Sequence, residues 1–523
     1  MVDQSVNEFL KRRRRASDFV RRPGASRRDS DHRFIESRSS RIGRNTAINL
    51  GGAIIPLLLS LATVPLYLHL IGETRYGILA IIWAVLGYFS VFDLGLSRAT
   101  ANQIARMRKE PPAARERVFW TALGINASVG AIGGAILFFV GHLLIEDIIT
   151  ITPALRSEAV AGLPWLAAAV PLTTVTLVIV GALEGNERFL AVNSLAIVGL
   201  AMFQLAPLAY AQWVDSSLGG LIMSATFGLA TSTALSFCVA AVVLPVRGRP
   251  SFDTDAFGRL VRYGGWVTIT GLVAPLLTVL DRLVIGNVLG AKAVTRYTIA
   301  FALVSRAQIL SQSLARAVFP RFSMLGSSDA AHVSRQSLRA LAAIATPLTV
   351  VGAVTLEPFL QVWVGDDIAS TSAPVGAILL MGVWVNSMAV LPFVWLQAQG
   401  RPDLPAKFHM VELVPYIGGL ILGLQVAGIY GAAWAWSCRA AVDAVLLFAA
   451  ARRIAKPTKV ADWRHLAHGA LFAASTCVAA LTIFQIPVVR LGLGGALVGV
   501  STAWAWRSAP PEGWLAKVRD RPR

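Results

Sequence analysis

The sequence predicts an all-α polytopic membrane protein, and three observations lead to this fold class. Of the 523 residues, 55% are apolar and 15% are charged, whereas about a quarter of the residues in a soluble domain are charged. From Thr46 onward, apolar runs follow one another, and most approach the ~17–25 residues that span a bilayer. Basic residues are concentrated in alternate polar breaks between those runs. A soluble enzyme is therefore excluded.

The three cysteines exclude two further classes of protein. Cys238, Cys438 and Cys477 each lie within an apolar run, and their spacing matches neither a disulfide framework nor a metal site. A secreted scaffold and a metalloprotein are excluded on this ground. We expect no metal and no cofactor.

The apolar runs predict about fourteen transmembrane helices. We expect two pseudo-symmetric six-helix lobes followed by two C-terminal helices. The predicted spans are 48–70, 76–97, 118–140, 159–183, 189–213, 219–246, 263–289, 294–319, 338–355, 372–398, 407–427, 428–452, 467–487 and 492–507. The corresponding domains are a disordered basic cytoplasmic tail (1–44), an N-lobe (45–246), a cytoplasmic linker (247–262), a C-lobe (263–452), helices 13 and 14 (453–508) and a cytoplasmic tail (509–523).

The N-terminal tail is strongly basic. Residues 1–44 hold 13 Lys+Arg against six acids, with no apolar stretch of the kind that follows the basic region of a signal peptide. We expect this tail to be attracted to the anionic headgroups of membrane lipids. A nucleic-acid partner is not expected, because no aromatic residues or folded module accompany the charge.

The distribution of basic residues predicts the topology. With the N-terminus inside, 39 of the 48 Lys+Arg fall in the cytoplasmic segments. The outside loops hold five, which are Arg75, Arg156, Lys292, Arg296 and Arg490. By the positive-inside rule, both termini face the cytoplasm. We expect the protein to lie in the cell inner (plasma) membrane. The net charge of +19 is then largely a topology signal.

Three local matches at nearly one offset indicate an internal duplication. The matched segments are 52–58 with 271–277 (offset 219), 71–76 with 289–297, and 184–187 with 399–403 (offset 215). Pro56 and Pro275 are equivalent in the first match, and each removes a mid-helix hydrogen bond. Because broken helices at matching positions are typical of transporter hinges, we predict a hinge at these two prolines. The alternative is that proline is simply common in membrane helices.

Several short motifs carry a family resemblance that covers about 45–505. These are Tyr76-Gly77, Trp83 and Asp93-Leu-Gly95-Leu in the second predicted helix; Leu280-Asp281-Arg282, Gly286 and Leu289-Gly290 around the seventh; and Gly428-Ile-Tyr-Gly431-Ala-Ala433-Trp-Ala435 in the twelfth. The chain resembles the polysaccharide-biosynthesis, O-antigen-flippase-type members of the multidrug/oligosaccharidyl-lipid/polysaccharide (MOP) exporter superfamily. The resemblance implies two six-helix lobes, a central cavity, alternating access and lipid-linked oligosaccharide as cargo. Polysaccharide assembly proteins are further implied partners.

Ionisable side chains within the predicted spans are candidate functional residues, because each costs ~2.5–3.5 kcal/mol on insertion scales. They are Asp93, Asp281, Arg282, Arg306, Arg316, Glu412, Arg439 and Asp443. On the eighth predicted helix, Arg306, Gln312 and Arg316 share one polar face. That face predicts a wet cavity wall, and a polar seam between helices is the alternative. Arg316 is near the cytoplasmic end and can instead snorkel to the surface.

We rank the arginines as ligands for an anionic headgroup because guanidinium offers a planar donor fork to phosphate oxygens. Arg306 comes first, Arg282 second because Asp281 adjoins it, and Arg439 third because Asp443 lies at i+4. Asp93, Asp281 and Asp443 are candidates for charge pairing or ion coupling. Glu412 is expected to be solvated near the cytoplasmic surface.

Three functions are compatible with these features. The first is a flippase that moves an isoprenoid-pyrophosphate-linked oligosaccharide across the inner membrane, with candidate cavity aromatics Trp83, Tyr88, Trp266, Tyr297, Trp384 and Trp395. The second is an ion-coupled drug or cation antiporter of the same superfamily, which would favour carboxylates in the cavity over arginines.

The third is a membrane glycosyltransferase or polymerase, for which Asp366-Asp367 in a short outside loop is the only paired-acid feature. We predict no catalytic residues, because no nucleophile, metal cluster or ATP-binding motif is present in the sequence. The first helix has no charge between Arg44 and Glu73. This disfavours the peptidoglycan precursor as cargo, since its flippases are expected to carry arginines there.

Overall fold

The computed structural model describes residues 26–107, 110–149, 151–244, 253, 258, 279–455, 461, 463–482, 484 and 486–508, with backbone alone up to residue 54. Its helices are α1 Ser26–Phe89, α2 Leu96–Arg106, α3 Pro112–Leu143, α4 Pro153–Gly185, α5 Phe189–Trp213, α6 Leu218–Val243, α7 Ala291–Val304, α8 Gln308–Met324, α9 Ser327–Val364, α10 Asp366–Ala398, α11 Asp403–Ile454, α12 Trp463–Thr482 and α13 Pro487–Ser508. Residues 279–288 are also helical. No strand occurs in the described residues.

Ten helical segments of the described chain are long and apolar enough to cross a membrane. The segment Leu58–Asp93 contains a break at Gly72, and Asp403–Ile454 contains one at Ala427 and Gly428. The predicted first and second helices therefore lie on either side of Gly72, and the eleventh and twelfth on either side of Gly428. The predicted all-helical membrane class is confirmed.

The start of α1 corrects the predicted N-terminal tail. Residues 26–44 were expected to be disordered, but their backbone is helical and continuous with the first span. Adding residues to an existing helix costs far less than nucleating a new one, so the polar segment extends the apolar helix. The predicted tail residues 1–25 lie outside the described residues.

The break in α1 also differs from the predicted hinge. The helix is continuous through Pro56, and its one residue with non-helical backbone is Gly72 (φ 77°, ψ 168°). Glycine has no Cβ and adopts positive φ at little cost, so it makes the sharp turn that proline cannot make. Pro275 lies outside the described residues, and the hinge at the two prolines stays a prediction.

In two of the three matched pairs, the two segments have the same local backbone conformation. Gly290 (φ 80°, ψ 176°) repeats the conformation of Gly72 at an offset of 218. After α4, the amide of Arg188 donates to the carbonyl of Leu183 (3.0 Å), and after α10 that of Arg401 donates to Leu396 (2.9 Å). These matched turns support the predicted duplication. The two-lobe division itself stays a prediction.

The connections between helices define two ends of the bundle. At one end, the Arg75 guanidinium after the α1 break binds Glu158 of α4 (2.8 Å), whose carboxylate also accepts from the amide of Leu218 at the start of α6 (3.0 Å). We call this the Glu73 end. The opposite end, which contains residues 186–188 and 399–402, is the Arg401 end.

Two further predicted elements are revised. The predicted eighth helix is divided into α7 and α8 by a 3-10 turn, Ser305–Ala307. The predicted loop carrying Asp366 and Asp367 is instead the first turn of α10, and Gly365 alone separates α9 from α10. Acidic side chains in the first turn interact favourably with the positive end of the helix dipole. This interaction explains the pair of acids without a catalytic role.

Candidate functional site

A cavity of about 380 Å³ lies between the first half of the chain, up to residue 244, and the second half, from residue 279. The first half contributes Tyr76, Trp83 and Tyr88 from α1 after the Gly72 break. The second half contributes Arg282 and Thr298. One wall is therefore aromatic, and the other carries a cation and a hydroxyl.

The aromatic wall is fixed by ring contacts and by one buried hydrogen bond. Tyr67 and Trp83 pack edge to face with ring centroids 5.5 Å apart, and Trp83 also contacts Phe203 at 5.7 Å. Tyr67 is 1% exposed, and its hydroxyl donates to the carbonyl of Gln204 at 2.7 Å. The wall is thus preformed, which lowers the ordering cost of binding a ligand.

Arg282 lies in the cavity as the sequence suggested. Its Nη1 is 3.5 Å from Oδ1 of Asp281, which is fully buried and also accepts the backbone amide of Arg282 at 2.8 Å. The guanidinium carbon lies 5.2 Å from the ring centroid of Phe301. The acid and the ring orient the arginine toward the cavity, so Asp281 acts here as a positioning residue.

Arg306, ranked first from the sequence, occupies the 3-10 turn between α7 and α8 and is exposed. No hydrogen bond or ion pair to Arg306 occurs among the described residues. It lies eight residues beyond Thr298, about 12 Å nearer the Arg401 end at 1.5 Å per residue. An arginine without a partner in the middle of the predicted eighth helix would be costly in lipid and is expected to face water.

Polar side chains continue along the exposed side of α8 beyond Arg306, interspersed with the exposed side chains of Ile309, Leu310 and Phe319. Gln312 and Arg316 are exposed, and Nη2 of Arg316 lies 3.5 Å from the Ser313 hydroxyl. The opposite face is buried and contains Ser311, Ala315, Val318 and Phe322. Within the described part of the chain, Gln312 and Arg316 are exposed rather than packed against another helix, which favours the cavity wall over the alternative, a polar seam.

Arg439 and Asp443 do not form the predicted close pair with each other. Nη1 of Arg439 is 3.7 Å from Oε2 of Glu412, and Oδ1 of Asp443 is 3.8 Å from Nε2 of His409. Glu412, expected to be solvated, is only 4% exposed. The break at Gly428 folds α11 back on itself and brings these groups together.

The hairpin in α11 depends on small residues. A Cβ on Gly431 would lie 1.8 Å from the carbonyl oxygen of Gly423, so only glycine permits this approach of the two limbs. Since the Arg439 guanidinium also lies 5.6 Å from the Tyr416 ring, it is already engaged within the helical bundle. The sequence ranking missed Glu412 and His409 as partners because they lie more than 25 residues away along the chain.

The two halves are joined at the Glu73 end by an ion-pair cluster that the sequence did not predict. Arg296 of α7 binds Glu73 (2.6 Å), Asp367 (2.8 Å) and the Thr371 hydroxyl (2.9 Å). The Thr295 hydroxyl donates to the carbonyl of Glu73 at 2.6 Å. We call Glu73, Thr295, Arg296, Asp367 and Thr371 the latch. It connects the first half, through Glu73, to the second half at this end of the bundle.

Asp93 has a local structural role rather than a partner across the membrane. Its carboxylate accepts from the Ser97 hydroxyl at 2.7 Å and from the Ser97 amide at 3.1 Å, at the start of α2. Leu94 and Gly95 both have positive φ, which explains the Asp93-Leu-Gly95 motif as a turn. The contacts are those of a helix cap.

This geometry gives a prediction for Asp93. We expect Asp93→Asn to keep near-normal transport, because the amide oxygen can still accept from Ser97, whereas Asp93→Ala should destabilise the protein by ~0.5–2 kcal/mol. The measurements are transport in cells and thermal stability of the purified variants. Abolished transport in a stable Asp93→Asn protein would instead assign Asp93 to ion coupling.

The remaining aromatic candidates divide into two groups. Trp83 and Tyr88 line the cavity, as predicted, whereas Tyr297, Trp384 and Trp395 are at most 5% exposed and are absent from its lining. Trp266 lies outside the described residues. Tyr76 and Thr298 were not ranked as site residues, although Tyr76 was part of a family motif.

Residues 42–326 match the model of the family described as polysaccharide biosynthesis protein. The chain belongs to this family. A Shigella flexneri protein that carries the description O-antigen transporter is 27% identical over 410 residues, which are 77% of this chain and 96% of the relative.

Two solved structures show the same fold as this polysaccharide biosynthesis family member. The lipid II flippase MurJ in an inward closed conformation aligns with a TM-score of 0.70 at 12% identity, covering 88% of this chain and 99% of MurJ. An inward-facing multidrug resistance MATE transporter of the MOP superfamily aligns at 0.60 and 13% identity, covering 76% and 94%. The fold is that of MOP-type transporters, as the family resemblance implied.

Proposed function

We propose that the protein is a flippase that translocates a lipid-linked oligosaccharide across the inner membrane by alternating access. The observation that carries this proposal is the cavity between the two halves, in which Arg282 faces an aromatic wall. Guanidinium matches the oxygens of a pyrophosphate linkage, and aromatic faces pack well against sugar rings. The family membership and the Shigella flexneri relative support the same cargo class.

The arrangement of charges suggests a route for the headgroup. The anion enters from the Arg401 end, which the basic asymmetry assigns to the cytoplasm, and passes Arg316, Gln312 and Arg306 before it reaches Arg282. Each arginine replaces part of the hydration that a phosphate loses on leaving water. Opening the latch at the Glu73 end then exposes the cavity to the opposite side of the membrane.

A strain that lacks the protein tests this function directly. We expect lipid-linked oligosaccharide to accumulate in the cytoplasmic leaflet and surface polysaccharide to fall, because the cargo has no other donor-lined route across lipid. Protection of the lipid-linked sugar from a membrane-impermeant modifying enzyme shows in which leaflet the sugar lies. Reintroducing the wild-type gene should restore export. Normal polysaccharide together with new sensitivity to cationic dyes would favour the antiporter.

A further inference from the structure

A second, larger cavity of about 790 Å³ lies outside the transport cavity, between α10, the second limb of α11 and α12. The two cavities share no lining residue. Most of the second lining is small or apolar, and its charged members are Arg452 and Arg453 in the last turn of α11. No acid lines it among the described residues.

This second cavity, which we call the crevice, is about as deep as one membrane leaflet. Along α11 its lining runs from Ala441 to Arg453, which is about 18 Å at 1.5 Å per residue. Half of the ~30 Å hydrocarbon core is close to this depth. The two arginines therefore lie at headgroup level at the Arg401 end, and the apolar walls extend toward the bilayer centre.

The walls are held in place by defined contacts. Trp384 closes the deep part, is 5% exposed and donates its indole N–H to the Thr346 hydroxyl at 3.1 Å. A Cβ on Gly469 of α12 would lie 2.9 Å from the Trp384 ring, so α12 approaches closely only through glycine. Near the mouth, Phe448 and Trp463 pack edge to face with centroids 5.1 Å apart.

The chemistry of the crevice selects its occupant. Apolar walls of leaflet depth suit acyl chains, and the guanidinium groups of two lining arginines suit a phosphodiester. Trp463 is 47% exposed beside the arginines, where an indole favours the membrane interface. A zwitterionic headgroup would bring its own cation toward Arg452 and Arg453, where the described lining residues include no acid to receive it.

We propose that this crevice binds an anionic phospholipid from the leaflet at the Arg401 end, with its phosphate on Arg452 and Arg453 and an acyl chain along α11 and α12. The bound lipid fills the space between α12 and the second limb of α11 and so anchors the last helices to the bundle. This site is independent of the transported cargo, and it does not rest on the proposed function.

The full-length protein in detergent micelles tests the site by titration with phosphatidylglycerol or phosphatidylcholine. Native mass spectrometry counts the lipids retained, and thermal unfolding reports stabilisation. We expect wild-type protein to retain phosphatidylglycerol selectively and to unfold at a higher temperature in its presence. In Arg452→Ala/Arg453→Ala, binding should weaken about 30-fold, given the attraction per arginine near an anionic surface.

Two further variants separate charge from fit. Arg335→Ala/Lys407→Ala removes two cations from the same end, away from the crevice, of which Arg335 is half-buried and Lys407 is exposed. This variant should bind phosphatidylglycerol as the wild type does. Ala467→Trp, at an exposed position in the lining, should expel the lipid while both arginines remain. This variant keeps the test decisive if the double arginine variant fails to fold.

Three outcomes would overturn the proposal. The first is equal retention of the two phospholipids by wild-type protein. The second is an equal loss of binding in the crevice variant and in its charge-matched control. The third is retention of an isoprenoid phosphate lipid in place of phospholipid, which would assign the crevice to the tail of the cargo.

Discussion

Replacing Arg306 with alanine is expected to reduce glycan export by about 10–100-fold while protein abundance stays near normal. The range follows from the ~1.5–3 kcal/mol that a hydrogen bond to a charged group contributes. Arg306 is exposed in the 3-10 turn between α7 and α8 and has no hydrogen-bond or ion-pair partner among the described residues, so its removal leaves no buried acid behind. Arg306→Lys should restore export only in part, because a point charge lacks the bidentate fork.

Export of surface polysaccharide and the amount of protein in the membrane fraction are the two measurements for this prediction. Arg335→Ala is the control, since Arg335 is half-buried near the start of α9, where its Nη2 contacts His332 at 2.9 Å. Full export by Arg306→Ala at normal abundance would remove Arg306 from the substrate route. Loss of the folded protein would instead favour a structural role at the 3-10 turn.

The second large effect is expected from the latch. Arg296→Ala removes the ion pairs from α7 to Glu73 and Asp367 together with the hydrogen bond to Thr371. Hydrogen bonds to charged groups contribute ~1.5–3 kcal/mol each, and every 1.4 kcal/mol changes an equilibrium about tenfold. The population open at the Glu73 end should therefore rise at least about tenfold, and net transport should fall because the closed state is lost.

Cysteine accessibility measures this shift. In a variant without the native cysteines, Ala291→Cys lies at a position that is 4% exposed in the latch-closed structure. A membrane-impermeant maleimide applied from the Glu73 side should label the cysteine at position 291 slowly. In the same protein carrying Arg296→Ala, labelling should be about tenfold faster.

Arg75→Ala is the control, because the Arg75–Glu158 pair lies at the same end but within the first half. Equal labelling in the Arg296 variant and in its parent would show that the latch does not hold the halves together.

Much of the helical architecture follows from local pattern. Apolar runs near bilayer length predict spans because a backbone in lipid must satisfy its own hydrogen bonds. The pattern also located the turns after α4 and α10 and the break between the limbs of α11. It failed at residues 26–44, where polarity suggested a disordered tail, because the cost of extending an adjoining helix is not visible in composition.

The sequence by itself determined the all-helical membrane class and the short set of charges within the predicted spans. The low charge content of the predicted spans singled out Arg282 as a candidate, and the helical period placed Arg306, Gln312 and Arg316 on one face. Only the tertiary structure decided which charges meet. Glu73 and Arg296 are 223 residues apart, and Glu412 and Arg439 meet across a hairpin.

The physical reason is that the cost of a charge in lipid is a property of the residue, whereas its compensation depends on which helices pack together. Arg439 and Arg306 carry the same cost along the chain, yet one lies beside Glu412 and the other has no partner among the described residues. Packing thus distinguishes an arginine already engaged in the bundle from one available to an anion.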